Sequence, residues 1–215
     1  TNLPDPDTEL FSFTLNGPII EDKLFFSLGY EKYEASDPVS LLAFQSGSVT
    51  EAEANAIIAA SKNIIGYNAG SYNKASEEED EKTFLRLDAN LSEKQNLTFT
   101  YNLTDGFTES AYFNRTWGLP LSSNWYTINK KYESMKLELN SDWTDNFSTK
   151  ILISDTDVSN PNTPVGETTI GEVGIRVASG GTVFFGPDQY RHANQIETNR
   201  KQYEITGYYD IGNHA

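Results

Sequence analysis

The chain has 215 residues, and its 16 Lys and Arg against 31 Asp and Glu give a formal net charge of −15, which repels nucleic acid and argues against binding it. It contains no cysteine, which excludes a disulfide framework and a thiolate metal site. Hydrophobic residues make up 37% of the chain and aromatic residues 13%, a composition that suits strands with one apolar and one wet face.

Apolar and polar residues alternate with a period of two in about seven segments, and this pattern predicts β-strands. In chain order, the predicted strands lie at 11–15, 24–30, 84–91, 97–102, 135–143, 147–154 and 202–211. We expect one face of the sheet to carry Leu85, Leu87, Leu137, Leu139, Ile151 and Ile205. The opposite face would carry Arg86, Asp88, Lys136, Glu138 and Glu204.

The connections between these segments alternate between short and long. The short ones are predicted at about 16–23, with a turn at Asn16-Gly17-Pro18, and at about 92–96 and 144–146, whereas the long ones cover about 35–81, 104–130 and 156–195. Short turns on one side and large loops on the other are typical of an antiparallel up-and-down transmembrane β-barrel. A soluble β-sandwich also alternates in polarity, but it has no reason to keep its long loops at one end.

The dimensions and the aromatic residues agree with a membrane span. A strand of about ten residues, rising about 3.3 Å per residue and tilted by about 40°, covers the roughly 25 Å apolar band of an outer-membrane barrel. Aromatic residues near the segment ends are candidates for the two interfacial girdles: Tyr30, Tyr33, Tyr101, Trp143, Tyr208 and Tyr209. No stretch approaches the roughly 18 consecutive apolar residues of a transmembrane helix.

The first long connection is predicted to contain a short helix. Thr50 is a candidate N-cap, Glu53 completes a capping box, and Gly66 ends the helix. We expect its apolar stripe to pack onto neighbouring loops; the stripe consists of Ile57, Ile58, Ile64 and Ile65. The acidic run at 77–81 is interpreted as a solvated block of charge.

Residues with catalytic or metal-binding spacing are few. The two histidines, His192 and His214, lack the spacing of a metal site, and residues 155–160 resemble a calcium loop without its Gly and distal Glu. Carboxylates such as Asp88, Glu138 and Asp142 could be mistaken for a glycosidase pair. On successive barrel strands they are better interpreted as part of the lumen lining, so we expect no enzymatic activity, cofactor or metal.

Two sets of residues are candidates for function in such a barrel. The aromatic residues Trp117, Trp125 and Tyr126 lie in a long connection and are candidates for binding a sugar, a peptide or a chelate. The residues Arg86, Asp88, Lys136 and Glu138 are expected to face the lumen.

Three stretches resemble TonB-dependent outer-membrane receptors, particularly the Oar-like group. Residues 15–26 followed by Tyr30-Glu31 resemble a "GGPI-x-x-DKLFFF-x-x-YE" turn, with Asn16 in place of the first glycine. Residues 86–90 with 96–102 are similar to a hairpin containing "RLD" and "LT-x-x-YN". The most specific stretch, 185–194 followed by 212–214, resembles "FG-x-D-x-x-RHAN … GNH". In addition, residues 66–70 are similar to a "YGYDPG" element, with Asn68 where Asp is usual.

The resemblance implies a barrel of about 22 strands with an N-terminal plug, which imports a bound ligand with energy passed from the inner membrane of a Gram-negative bacterium. The implied partners are outer-membrane lipid, an external small-molecule, peptide or glycan ligand, and the TonB complex through the N-terminal part. The chain would cover roughly the second to eighth strands, without the plug or the TonB box. About seven strands cannot close a barrel of even strand number, so we expect a piece of a larger receptor-transporter. The alternative is a soluble or surface-attached β-sheet module for binding or adhesion.

Overall fold

The computed structural model describes residues 4–191 and 193–212. In chain order, its elements are β1 (Asp7–Ile20), β2 (Leu24–Pro38), α1 (Leu42–Gln45), α2 (Glu51–Ile65), β3 (Ala75–Ser92), β4 (Gln95–Ser110), β5 (Gly118–Pro120), a 3₁₀ turn (Ser122–Asn124), β6 (Tyr126–Thr144), β7 (Phe147–Pro164), β8 (Val173–Arg176), β9 (Thr182–Phe185) and β10 (Gln195–Tyr209). Within the described residues, no helix is long and apolar enough to cross a membrane.

Seven long strands form one antiparallel sheet in the order β1-β2-β3-β4-β6-β7-β10. Each strand pairs with the next long strand in the chain, so the meander has the up-and-down topology that the alternation predicted. In the part of the chain that the structure describes, β1 and β10 are the two edges of this sheet. A smaller three-stranded sheet, in the order β5-β9-β8, lies in the long connections.

The first turn lies later in the chain than predicted. Residues 16–18 belong to β1, where Gly17 pairs with Phe26 and Pro18 with Phe25, and the chain reverses only at 21–23. Asp22 takes the left-handed conformation there, with φ 60°, which short polar side chains tolerate. Pro18 fits because β1 is an edge strand of the described sheet, and an edge position tolerates a residue without a backbone N–H.

The strands are longer than the alternation predicted, because polar segments continue the pairing beyond the apolar part. The acidic run at 77–81 forms part of β3, and residues 155–160 form part of β7, so neither segment is a loop. Lysines on neighbouring strands offset carboxylates of both segments: Lys32 Nζ, on β2, lies 4.0 Å from Glu79, and Lys201 Nζ, on β10, lies 3.7 Å from Asp155. The backbone groups of a strand form hydrogen bonds with the neighbouring strands, and these bonds do not depend on the side chains. A charged segment can therefore extend a strand.

The register confirms the predicted separation of the two faces, because residues paired across strands point to the same side. One apolar row consists of Leu87, Phe99, Leu137, Ile153 and Tyr203, and the next consists of Ala89, Leu97, Leu139, Ile151 and Ile205. On the other side, one polar row consists of Arg86, Thr100, Lys136, Ser154 and Gln202, and the next consists of Asp88, Thr98, Glu138, Leu152 and Glu204. These are called the apolar face and the polar face below.

Two of the predicted girdle tyrosines lie on the wrong face. Tyr33 pairs with Leu10 and Tyr208 with Ser148, and both positions alternate with the apolar rows and therefore belong to the polar face. Tyr30, Tyr101 and Tyr209 do belong to the apolar face by register.

Helix α2 begins and ends where predicted. The Thr50 side chain accepts a hydrogen bond from the Glu53 N–H, the Glu53 carboxylate accepts one from the Thr50 N–H, and Gly66 ends the helix in the left-handed conformation, with φ 71°. The apolar stripe is divided, however. Ile57 is buried and Ile58 packs partly against the core, but Ile64 is 80% exposed and Ile65 53% exposed, because the last turn lies outside the packed part of the loops.

The hydrophobic core of the described chain lies in the long connections and not in the large sheet. Its buried members come from all three connections: Leu41, Ala43, Val49, Ala54, Ile57, Tyr67, Ala69, Leu119, Leu121, Val183 and Phe185. The three connections therefore fold as one packed unit, which is called the loop assembly below. It lies at the end of the large sheet opposite the short turns at 21–23, 93–94 and 145–146.

Candidate functional site: the polar face and the loop assembly

The polar face carries a hydrogen-bonded ionic group on β3 and β4. The Arg86 guanidinium donates to both Asp88 carboxylate oxygens, with Nε–Oδ2 2.7 Å and Nη2–Oδ1 2.8 Å. The Thr98 hydroxyl, on the neighbouring strand, donates to Asp88 Oδ1 at 2.8 Å. Bidentate pairing with a carboxylate fixes the orientation of an arginine more firmly than a single contact would.

A second ionic group lies on β6 and β7. Glu138 accepts hydrogen bonds from Asn140 Nδ2 at 3.1 Å and from Lys136 Nζ at 3.5 Å, and Lys150 Nζ lies 3.2 Å from its carboxylate. Its side chain is only 16% exposed, so two lysines and an amide compensate a largely covered carboxylate.

The four residues expected to face a lumen therefore share one face of the sheet. Arg86 and Lys136 lie in one cross-strand row, and Asp88 and Glu138 lie in the next. Each of these two carboxylates has a cation beside it on the same face. A polar surface of this kind can line an aqueous space.

Metal-binding groups are absent from the part of the chain that the structure describes: residues 4–191 and 193–212 contain no cluster of three or more His, Asp or Glu side chains placed to hold an ion. His192, His214 and the end of the 212–214 motif at Asn213 lie outside the described residues.

The loop assembly is fastened by hydrogen bonds between distant segments. Glu53 Oε1 accepts from the Ser179 N–H at 3.0 Å, which joins the start of α2 to the β8–β9 turn. The backbone N–H and hydroxyl of Thr50, assisted by the hydrogen bonds from Ser179, lower the pKa of Glu53 to about 2. The Tyr67 hydroxyl donates to the Glu167 carbonyl at 2.9 Å, and burial raises the pKa of Tyr67.

The three candidate loop aromatics have different environments. Trp125 is 1% exposed and Tyr126 6% exposed, and the indole N–H of Trp125 donates to the Pro120 carbonyl at 3.4 Å. Burial assigns both side chains to packing, because they offer almost no surface to a ligand. Trp125 lies in the loop assembly as predicted, whereas Tyr126 is not a loop residue but the first residue of β6. Trp117 is 50% exposed and therefore offers substantial area to the solvent.

Sequence reasoning missed the neighbours of Trp117. The ring of Phe113 stacks on Phe184, with centroids 4.2 Å apart and planes 10° apart, and Trp117 meets Phe184 edge-on at 6.0 Å. Tyr112 and Tyr190 extend the group, with ring centroids 5.9 Å apart. The run 112–117 is visible as aromatic-rich in the sequence, but its contact with 184 and 190 depends on the tertiary fold, which no local pattern predicts.

The fold was compared with known proteins. No family model matches the chain, and no curated protein matches it. Among solved structures, the outer membrane transporter YddB from Escherichia coli is similar, with a TM-score of 0.57 and 10% sequence identity. The match covers 95% of this chain and 23% of the YddB chain. At this identity the likeness concerns the fold, and the chain accordingly has the fold of a segment of an outer-membrane transporter barrel.

Proposed function

We propose that this chain is a segment of the β-barrel of an outer-membrane receptor-transporter, of the TonB-dependent class and its Oar-like group. In the assembled protein the barrel binds an external ligand and imports it with TonB-coupled energy. The polar face lines the lumen, the apolar face contacts lipid, and the segment itself performs no catalysis.

The apolar face is the observation that carries this proposal. Its side chains are exposed although they are hydrophobic: Leu137 is 41%, Ile153 46% and Ile205 78% exposed. Aliphatic and aromatic side chains in adjoining rows across five strands form a continuous patch that water disfavours and that lipid accommodates without cost. On β6 the patch runs from Met135 to Trp143, which corresponds to roughly 20–25 Å of membrane thickness for a tilted strand.

The edges of the sheet support an assembled barrel. β1 and β10 each have a single neighbour in the described part of the chain. In lipid, the backbone N–H and C=O groups of an unpaired edge cannot be satisfied, so only closed barrels span a membrane with strands. The match to about a quarter of a longer transporter chain fits a barrel in which further strands pair with both edges.

The lengths of the turns and loops support a proposed orientation of the segment in the membrane. The turns at 21–23, 93–94 and 145–146 are short, as periplasmic turns of outer-membrane barrels are. The loop assembly then faces the outside and presents the ligand-binding surface. The partners of the assembled protein are outer-membrane lipid, an external small-molecule, peptide or glycan ligand, and the TonB complex, which acts through an N-terminal plug.

Localisation and heat-modifiability test this proposal. The intact protein carrying this chain should fractionate with the outer membrane, require detergent for extraction, and migrate faster on SDS gels before boiling than after it. A soluble or surface-attached binding module would instead leave the cell envelope in salt or carbonate without detergent, and that outcome would refute the barrel. Loss of ligand uptake, but not of ligand binding, on removal of TonB tests the coupling separately.

A further inference from the structure

One surface of the loop assembly is both aromatic and cationic. It combines residues of the β4–β6 connection with residues that follow β9. We call it the aromatic–arginine surface, and it consists of Tyr112, Phe113, Arg115, Trp117, Tyr190 and Arg191.

The aromatic part has a fixed base and exposed rings. Phe184, in β9, is 9% exposed and supports Phe113 by the stacked contact described above. Trp117 packs edge-on against both of them, with its ring centroid 6.3 Å from that of Phe113, yet it remains 50% exposed. Tyr190 is 57% exposed. Trp117 is therefore held against a buried ring, and Tyr190 adjoins the same group through Phe113, with centroids 6.3 Å apart. Both rings still present area to the solvent.

The two arginines converge on one tyrosine. The Cζ atom of Arg191 lies 3.7 Å from the centre of the Tyr112 ring, and that of Arg115 lies 5.4 Å from it. Contact with the ring face orients a guanidinium while its N–H groups remain able to donate. Arg115 uses one of them, from Nη1 to the Asn114 carbonyl at 2.9 Å.

No carboxylate compensates these two cations. Among the described residues, the Arg86 guanidinium is held by Asp88 at 2.7 Å, whereas the guanidinium groups of Arg115 and Arg191 form no ion pair within 4.0 Å. This is notable in a chain with 31 acidic and 16 basic residues. The Asp188 carboxylate, three residues before Arg191, accepts instead from the Arg191 backbone N–H at 2.8 Å. Two oriented guanidinium groups that lack an internal carboxylate are suited to a carboxylate, sulfate or phosphate of a ligand.

We propose that the aromatic–arginine surface binds an anionic saccharide. The rings of Trp117 and Tyr190 stack against the C–H face of a pyranose, and Arg115 and Arg191 pair with its acidic substituent. A neutral sugar would use the rings and leave the arginines without a partner. The inference rests on the proposed function in one respect, namely that the loop assembly faces the outside of the cell.

The test is a binding titration on the intact protein in detergent, with tetragalacturonate and its fully methyl-esterified form as probes. The two oligosaccharides share ring faces and differ in charge. We expect the acid to bind about tenfold or more tightly than the ester at low salt, and we expect this preference to shrink as salt rises, since exposed ion pairs are screened. A lipopolysaccharide core oligosaccharide in the same assay distinguishes the cell's own anionic sugar from an external polymer.

Substitutions separate the contribution of the arginines to binding from that of the aromatic rings. Arg115→Gln with Arg191→Gln should bring the affinity for the acid close to that for the ester, whereas Trp117→Ala should weaken both probes by about the same factor. The controls are Arg176→Gln, at an exposed arginine in β8, and Trp143→Ala, which is 54% exposed at the opposite end of the sheet; both should leave binding unchanged.

Equal affinity for acid and ester, or an equal loss with Arg176→Gln, would overturn the proposal. The salt dependence of the unsubstituted protein needs no variant, so the test survives even if the Arg191 substitution disturbs the loops. Heat-modifiability of the same preparation is measured alongside. Failure to bind in a correctly inserted barrel contradicts the ligand site alone, and failure to insert contradicts the proposed function.

Discussion

Leu119 and Val183 pair in a parallel two-strand ladder although they are far apart in the chain, and both side chains are completely buried. The pair joins the β4–β6 connection to the connection that follows β7. It places the apolar core of the described chain outside the large sheet, in segments that a strand count treats as loops. The shape of the loop assembly therefore depends on this core.

Leu119→Ala should destabilise the loop assembly by about 2–5 kcal/mol, because it removes buried methyl groups and leaves a cavity. Hydrogen exchange of α2 and β9 in the intact protein measures the loss as reduced protection. The control is Ile64→Ala, at a side chain that is 80% exposed, and it should change protection by less than about 0.5 kcal/mol. Equal effects at the two positions would show that the loop assembly lacks a cooperative core.

Thr50→Ala should reduce the local stability of α2 by about 1 kcal/mol, because it removes the acceptor for the Glu53 N–H and half of the capping box. The same exchange experiment, restricted to 51–65, measures the effect. Asn55 is exposed in the middle of the helix, and Asn55→Ala should instead leave α2 unchanged or slightly more stable, since Ala has the higher helix propensity. Reduced protection in Asn55→Ala as well would show that Thr50 has no special role as the N-cap of α2.

The protonation of Glu53 should make the loop assembly sensitive to acid. The pKa of this carboxyl is lowered from 4.5 to about 2 in the folded chain, so its contribution to stability is complete above the unfolded value near 4.5 and is lost as the pH falls towards 2. Protection of α2 and of the Ser179 amide, corrected for the intrinsic exchange rate, should decline over this interval. The decline should be smaller in Glu53→Gln; an identical decline in both proteins would assign it to other groups.

Leu137→Arg should reduce the stability of the intact barrel by about 2–4 kcal/mol, because the register places this side chain in the middle of the apolar face, where a charge would contact lipid. The matched substitution is Gln202→Arg on the polar face, where Glu204 accepts a hydrogen bond from the Gln202 amide at 3.4 Å. This second change should cost less than about 1 kcal/mol. Refolding titrations in lipid vesicles compare the two, and similar losses would contradict the assignment of the faces.

The sequence predicted the large sheet well, because its information is local. The alternation around Leu85, Leu137 and Ile151 is visible in the chain itself, and the capping box of Thr50 and Glu53 identifies α2 within a few residues. The limits of the strands were less predictable. Charged segments such as 77–81 extend β3 through pairing with β2 and β4, and a pattern based on hydrophobicity contains no signal for that extension.

The candidate site was only partly predictable, because part of it depends on contacts between segments that are distant in the chain. Arg86 and Asp88 are two residues apart on one strand, so alternation alone places them on one face. Trp117 and Trp125 look equivalent in a polar connection, and only the tertiary contacts bury one and expose the other. The convergence of Arg115 and Arg191 on Tyr112 joins two connections, and no local pattern in either of them indicates it.

A nitroxide scan along β6 tests whether this strand spans a membrane, because the chain has no cysteine and adds no background of its own to the labelling of single-cysteine variants. Labels at 135–141 in the intact protein, reconstituted in lipid vesicles, would be compared for collision with oxygen, which partitions into lipid, and with a water-soluble nickel chelate. A membrane-spanning β6 should give a period of two: oxygen dominates at Met135, Leu137 and Leu139, and the chelate dominates at Lys136, Glu138 and Asn140. Uniform exposure to the chelate at all these positions would contradict a membrane-spanning strand.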